Sequence, residues 1–101
     1  METHGITVMT EDASTYAAAQ TYTLASGAHI GAMKTIIRTS DDNTDIDITV
    51  AAGYIANDTT AGARTFRFGA DDDATARTLI LNWDGSAWAI VKLSAGVTVQ
   101  A

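Results

Sequence analysis

The chain has 101 residues, enough for one domain built on one core. Twelve acidic against six basic residues give a formal net charge of −6. The basic residues (Lys34, Arg38, Arg64, Arg67, Arg77, Lys92) are scattered, which excludes the clustered cationic face that nucleic acid requires. With no cysteine there are neither disulfides nor thiolate metal sites, so stability has to come from packing or assembly.

The N-terminal Met1-Glu2-Thr3-His4-Gly5 has no basic region followed by an apolar one, and no apolar run reaches the ~18 residues of a membrane helix. A soluble protein made in the cytoplasm, without a signal peptide and without a membrane partner, is therefore expected. Gly5-Ile6-Thr7-Val8-Met9-Thr10 alternates weakly, and Glu11-Asp12-Ala13-Ser14-Thr15 breaks the pattern. Tyr16-Ala17-Ala18-Ala19-Gln20 fits either a helical turn or extended chain. Residues 1–20 are read either as a frayed terminus or as an extended N-terminal arm that adds a strand to a neighbour's sheet edge, with Ile6, Val8 and Met9 as its contact residues. The β-domain proper is then 21–101.

From Thr21 the chain reads as short strands separated by turns. Thr21–Leu24 alternates, and Ser26-Gly27-Ala28-His29 turns. Met33–Thr39 is rich in β-branched residues and leaves through Ser40-Asp41-Asp42-Asn43. Asp45–Val50 alternates without a break, giving one wet and one dry face. Gly53–Gly62 is a polar loop, Arg64–Phe68 alternates again, and Asp71-Asp72-Asp73 turns. Gly96-Val97-Thr98-Val99 closes the chain.

The strongest local signal is Leu79-Ile80-Leu81-Asn82-Trp83-Asp84-Gly85-Ser86-Ala87-Trp88-Ala89-Ile90-Val91. Asp-Gly between apolar runs predicts a hairpin, with a type I′ turn requiring φ > 0 at both central residues. For a two- or a four-residue loop alike, Leu79, Leu81 and Trp83 share a face with Trp88 and Ile90. The opposite face carries Ile80, Ala89, Val91 and Leu93, so it too is apolar and needs a second cover from another layer or another subunit. Some eight short strands without a convincing helix predict an all-β domain, an antiparallel β-sandwich or squat barrel. Its expected core is Leu24, Ile48, Val50, Phe66, Phe68, Leu81, Trp83 and Trp88.

No residue set announces an enzyme. Asp41-x-Asn43-x-Asp45-x-Asp47 imitates the opening of a calcium loop, but the sixth position is Ile46 rather than Gly and the twelfth is Ala52 rather than Glu. Asp71-Asp72-Asp73 supplies carboxylates from one turn and lacks further ligands. His4 and His29 have no ligand partner at short spacing. Neither a nucleophile elbow nor a phosphate loop is present, so no catalytic residue, metal or cofactor is assigned. Asn57-Asp58-Thr59 matches a glycosylation sequon that carries no weight without a secretory signal. Trp83 and Trp88, if exposed, would form a sugar-stacking platform; if buried, they anchor the core.

Ile30-Gly31-Ala32-Met33-Lys34-Thr35-Ile36 and Leu81-Asn82-Trp83-Asp84-Gly85-Ser86-Ala87-Trp88 resemble the small β-domain of virion structural proteins of tailed bacteriophages, over about residues 20 to 93. The resemblance implies a homotrimer found either as a capsid decoration (cement) protein or in tail fibres and spikes. A short chain with nothing fibrous attached fits the first: a decoration protein on the capsid surface whose partner is the major capsid protein. The alternative is a trimeric tail-fibre or tailspike module for host receptor or carbohydrate binding. Candidate interaction residues are Ile6, Val8, Met9, Ile80, Val91 and Leu93.

Overall fold

A computed structural model describes residues 1–9, 20–39, 45–51, 53–69 and 77–101. They form eight strands: β1 (Gly5–Met9), β2 (Gln20–Leu24), β3 (Met33–Arg38), β4 (Ile46–Val50), β5 (Thr65–Phe68), β6 (Thr78–Trp83), β7 (Trp88–Leu93) and β8 (Val97–Gln100). Two four-stranded sheets result, sheet A in the order β1-β3-β6-β7 and sheet B in the order β2-β4-β5-β8. The architecture is an all-β sandwich.

The sheets are mixed rather than purely antiparallel. Successive strands β1 to β4 alternate between the sheets, so β1 and β3 run the same way, as do β2 and β4. A strand that passes through the opposite sheet before returning supplies the crossover that parallel neighbours require. Each sheet then continues with two antiparallel pairings, β3·β6 and β6·β7 in one, β4·β5 and β5·β8 in the other.

Alternation decides which residues fill the space between the sheets. Ile46, Ile48 and Val50 of β4 and Phe66 and Phe68 of β5 are buried, and so are Leu79, Leu81 and Trp83 of β6. Leu24 and Trp88 are without exposed surface, so every residue of the expected core lies in it. The two indoles meet edge to face, with ring centroids 5.3 Å apart. The Trp88 Nε1–H donates to the Ala25 carbonyl at 2.9 Å, which satisfies the one polar atom the ring carries inside. Gly27 lies against the Trp83 side chain so closely that a Cβ there would overlap it.

Three charged side chains share this interior. The Arg38 Nη1 donates to the Phe68 and Gly69 carbonyls at 3.0 and 2.8 Å, and the Arg77 Nη1 donates to Gly69 at 3.2 Å. The Lys34 Nζ donates to the Thr7 hydroxyl at 2.6 Å and to the His4 carbonyl at 3.3 Å, tying β1 to β3 from inside the sandwich. Burial lowers the Lys34 pKa from its ordinary value of 10.5, with Glu2 acting in the opposite direction.

The β6–β7 hairpin forms where Asp84-Gly85 predicts it, with Trp83 paired to Trp88. The turn differs from type I′. Only Gly85 has positive φ, at 104°, while the Asp84 carboxylate accepts the backbone N–H groups of Ser86 and Ala87, both at 2.8 Å. These bonds hold the Asp84 carboxyl below the usual carboxylate range. The loop therefore has four residues closed by a side chain, which leaves the parity of the two tryptophans unchanged.

Residues 5–9 correct the expectation of a free arm. They pair with β3 of the same chain from Gly5↔Lys34 to Met9↔Arg38, and Met9 is buried among the core residues. Met9 is thus a packing residue and not a contact residue, because odd-numbered positions of β1 face inward. Most of the remaining expected arm, 10–19, lies outside the described residues, as do Asp41, Asn43 and Asp71-Asp72-Asp73.

Candidate functional site

The two outer faces of the sandwich differ sharply in chemistry. On sheet B, the positions between the buried ones are Thr21, Thr23, Asp45, Asp47, Thr49, Thr65, Arg67, Thr98 and Gln100, all polar. They are tied to one another. Arg67 grips Asp47 through two bonds of 2.9 and 3.0 Å with Asp45 3.6 Å away, and the Thr49 and Thr65 hydroxyls meet at 3.1 Å. The fork-shaped guanidinium occupies both Asp47 oxygens, so the half-calcium motif ends in an intrachain cation.

Sheet A turns a different surface outward. Its outer positions are Ile6 and Val8 on β1, Met33, Thr35 and Ile37 on β3, Thr78, Ile80 and Asn82 on β6, and Ala89 and Lys92 on β7, with Val91 beside them. Ile6 is 70% exposed, Val91 57%, Val8 51% and Met33 42%, while Ile37 and Ile80 are half-buried. Cross-strand register makes the patch continuous: Ile6 stands across from Thr35, Thr35 from Ile80, and Val8 from Ile37. Lys92, opposite Ile80, puts a charge at its margin. No catalytic constellation emerges among the described residues, and the feature that calls for an explanation is this dry face.

Of the expected contact residues, Ile6, Val8, Ile80 and Val91 share this side of the sandwich. Leu93 does not. An irregularity in pairing puts Ile80 opposite Lys92 but Leu81 opposite Ile90, leaving Val91 as the extra residue of a bulge. The one-residue slip sets Leu93 across from Leu79, whose side chain points inward, so Leu93 belongs to the end of the core-facing row. Strict period-2 counting from the hairpin cannot see such a slip.

Sequence reading also missed Asn57. Its side-chain amide binds both backbone groups of Ile90, accepting the N–H at 2.7 Å and donating to the carbonyl at 2.9 Å; the Ala56 N–H donates to the Trp88 carbonyl at 2.9 Å. The loop between β4 and β5 thus seals the free edge of β7. The asparagine of the sequon is an edge cap, for which the sequence offers no signal because the two partners lie 33 positions apart.

Both tryptophans of the possible sugar platform are inside the sandwich. His4 and His29 are exposed, with Glu2 3.9 Å from His4. No family model, curated protein or solved structure matches the chain.

Proposed function

We propose that the chain is a non-enzymatic structural component of a virion, a decoration protein that seats on the outer surface of a bacteriophage capsid through the outer face of sheet A. The observation that carries the reading is the contrast between the two outer faces of one sandwich, one wholly polar and one studded with Ile6, Val8, Met33, Ile37, Ile80 and Val91. A contiguous exposed apolar surface on a small domain marks a place where another protein sits. The resemblance of the Ile30–Ile36 and Leu81–Trp88 stretches to phage virion domains supplies the identity of that protein, the major capsid protein. Net negative charge and a platform-free surface are compatible with a role in protein packing.

Energetics favour a lattice over a single site. Covering a side chain that is already half-buried gains on the order of 1 kcal/mol, a fraction of the ~1.5–3 kcal/mol for full burial. Four such side chains make a weak contact after association costs. A shell that offers many equivalent positions, engaged by linked copies, converts weak contacts into firm holding through effective concentration.

The test is titration of purified heads with labelled full-length chain. Saturable binding is expected, weakened about tenfold or more by Met33→Glu and by Val91→Glu, exposed positions whose variants keep the β-type circular dichroism. Labelled protein located at the tail tip, with no binding to heads, overturns the decoration reading and leaves the fibre module in its place.

A further inference from the structure

We infer that the outer edge of β1 pairs with the same edge of a second copy of this chain, antiparallel and about a two-fold axis at Thr7. This goes beyond the decoration reading, and it departs from the three-fold association that the resemblance implies.

The argument starts from the direction of the backbone groups. The Thr39 N–H donates to the Met9 carbonyl at 3.0 Å, so the Met9 main chain faces β3. Alternate residues of a strand turn their N–H and C=O to the same side. Gly5, Thr7 and Met9 therefore serve the β3 ladder, and Ile6 and Val8 present two N–H donors and two C=O acceptors to the open edge. Their side chains are the exposed apolar ones of the strand, at 70% and 51%. Among the described residues, one edge thus offers unused hydrogen-bonding groups and dry side chains at the same two residues. No Pro or charged residue lies within Gly5-Ile6-Thr7-Val8-Met9 to guard it.

The other three edges are treated differently. The β7 edge is closed by Asn57 and Ala56 and bent by the bulge at Val91. The β2 and β8 edges border the polar face, with Thr21 and Thr23 on one and Thr98 and Gln100 on the other. Among the described residues, β1 alone combines an open edge with an apolar outer surface.

A second copy fits this edge because the strand is symmetric about its centre. Antiparallel pairing centred on Thr7 sets Ile6 against Val8 of the second copy and Val8 against its Ile6. Both are hydrogen-bonded pairs, so all four main-chain groups on each copy are used. Ile and Val then face each other across the new junction on the outer surface, a β-branched pair of the kind that stabilises sheets. The two outer faces of sheet A become one eight-stranded apolar surface. A five-residue pairing spans about 17 Å and stays below the ~800 Å² per partner of a standard interface, so association is reversible and concentration-dependent.

Sedimentation equilibrium of the full chain in free solution, from about 1 µM to about 1 mM at physiological ionic strength, tests this independently of any capsid. The expected result is a monomer–dimer equilibrium of the 10.6 kDa chain, weakened about tenfold or more by Val8→Pro. Proline there removes an N–H that points to the open edge and none that serves β3. If Val8→Pro fails to fold, Thr7→Cys decides. The two residues on the axis form a non-hydrogen-bonded pair with Cα atoms about 4.5 Å apart, within disulfide range, in a chain that has no cysteine of its own. Mild oxidation should link Thr7→Cys chains into dimers and leave Tyr54→Cys chains unlinked. A chain that is monomeric at about 1 mM, a trimer, or a dimer undiminished by Val8→Pro overturns the proposal.

Discussion

Trp88 is the residue on which the sandwich is most exposed to test. Its indole has no exposed surface, meets Trp83 edge to face at 5.3 Å, and donates to the Ala25 carbonyl at 2.9 Å. Truncation to alanine costs about 3–5 kcal/mol through lost burial and the cavity left behind. The aromatic pair adds about 0.5–1.5 kcal/mol, and the carbonyl deprived of its donor about 1 kcal/mol. These terms overlap, so Trp88→Ala should lose about 4–6 kcal/mol, a large share of the ~5–15 kcal/mol that holds a domain of this size. At about 4–8 °C per kcal/mol the melting temperature falls by at least about 16 °C. Trp88→Phe keeps a ring against Trp83 but loses the indole N–H, and should cost about 1–2 kcal/mol. Urea unfolding followed by far-ultraviolet circular dichroism measures both. A Trp88→Ala protein within about 1 kcal/mol of wild type, or a phenylalanine variant as damaged as the alanine one, would refute the assignment.

Two further outcomes follow from the interior. Gly27→Ala drives a methyl group into the Trp83 side chain, and should destabilise by about 1–3 kcal/mol in urea while Ser26→Ala, next to it and exposed, stays near wild type. Lys34 is buried with its pKa lowered from 10.5, so the unfolded chain holds this proton more tightly than the folded one. As pH rises through the lowered folded-state value towards 10.5, stability should therefore rise. Lys34→Met should abolish that alkaline rise, as measured by urea unfolding at a series of pH values.

Local patterns were legible in the sequence, and pairings between distant segments were not. The Asp45–Val50 alternation fixes which way Ile46, Ile48 and Val50 point, because a half-buried strand admits only one parity. Asp84-Gly85 places the hairpin, although the turn that forms uses the Asp84 carboxylate in place of a second positive φ. The partner of β1 was beyond reach. A strand of weak alternation fits its own chain's edge and a neighbour's equally well, and only the register with β3 and the burial of Met9 separate the two. Parallel pairing is invisible for the same reason, since it needs a whole strand of the other sheet in between. Buried Lys34, Arg38 and Arg77 also defeat a reading by hydropathy. Each long side chain lines the interior with its methylenes while its charged end reaches oxygens that sequence does not place.

The molecule supplies its own control for the meaning of the dry face. Both sheets are built to one plan: an edge strand parallel to its neighbour, then two antiparallel pairings. Position for position, β1 corresponds to β2, β3 to β4, β6 to β5 and β7 to β8. Sheet B shows that this plan is satisfied with threonines, aspartates and an arginine on the outside, where they bond to one another. Nothing in the topology therefore asks for Met33 and Ile37 where the partner sheet carries Asp45 and Thr49, or for Ile80 where it carries Arg67. An apolar outer face adds no packing to the monomer and leaves open a surface prone to indiscriminate association. The chain limits that hazard at β7, with Lys92, a bulge and the Asn57 cap, and among the described residues leaves β1 open. Protection at one edge of an apolar sheet and, among the described residues, none at the other is the pattern that the proposed pairing at β1 requires, with the rest of the face left for the proposed capsid contact.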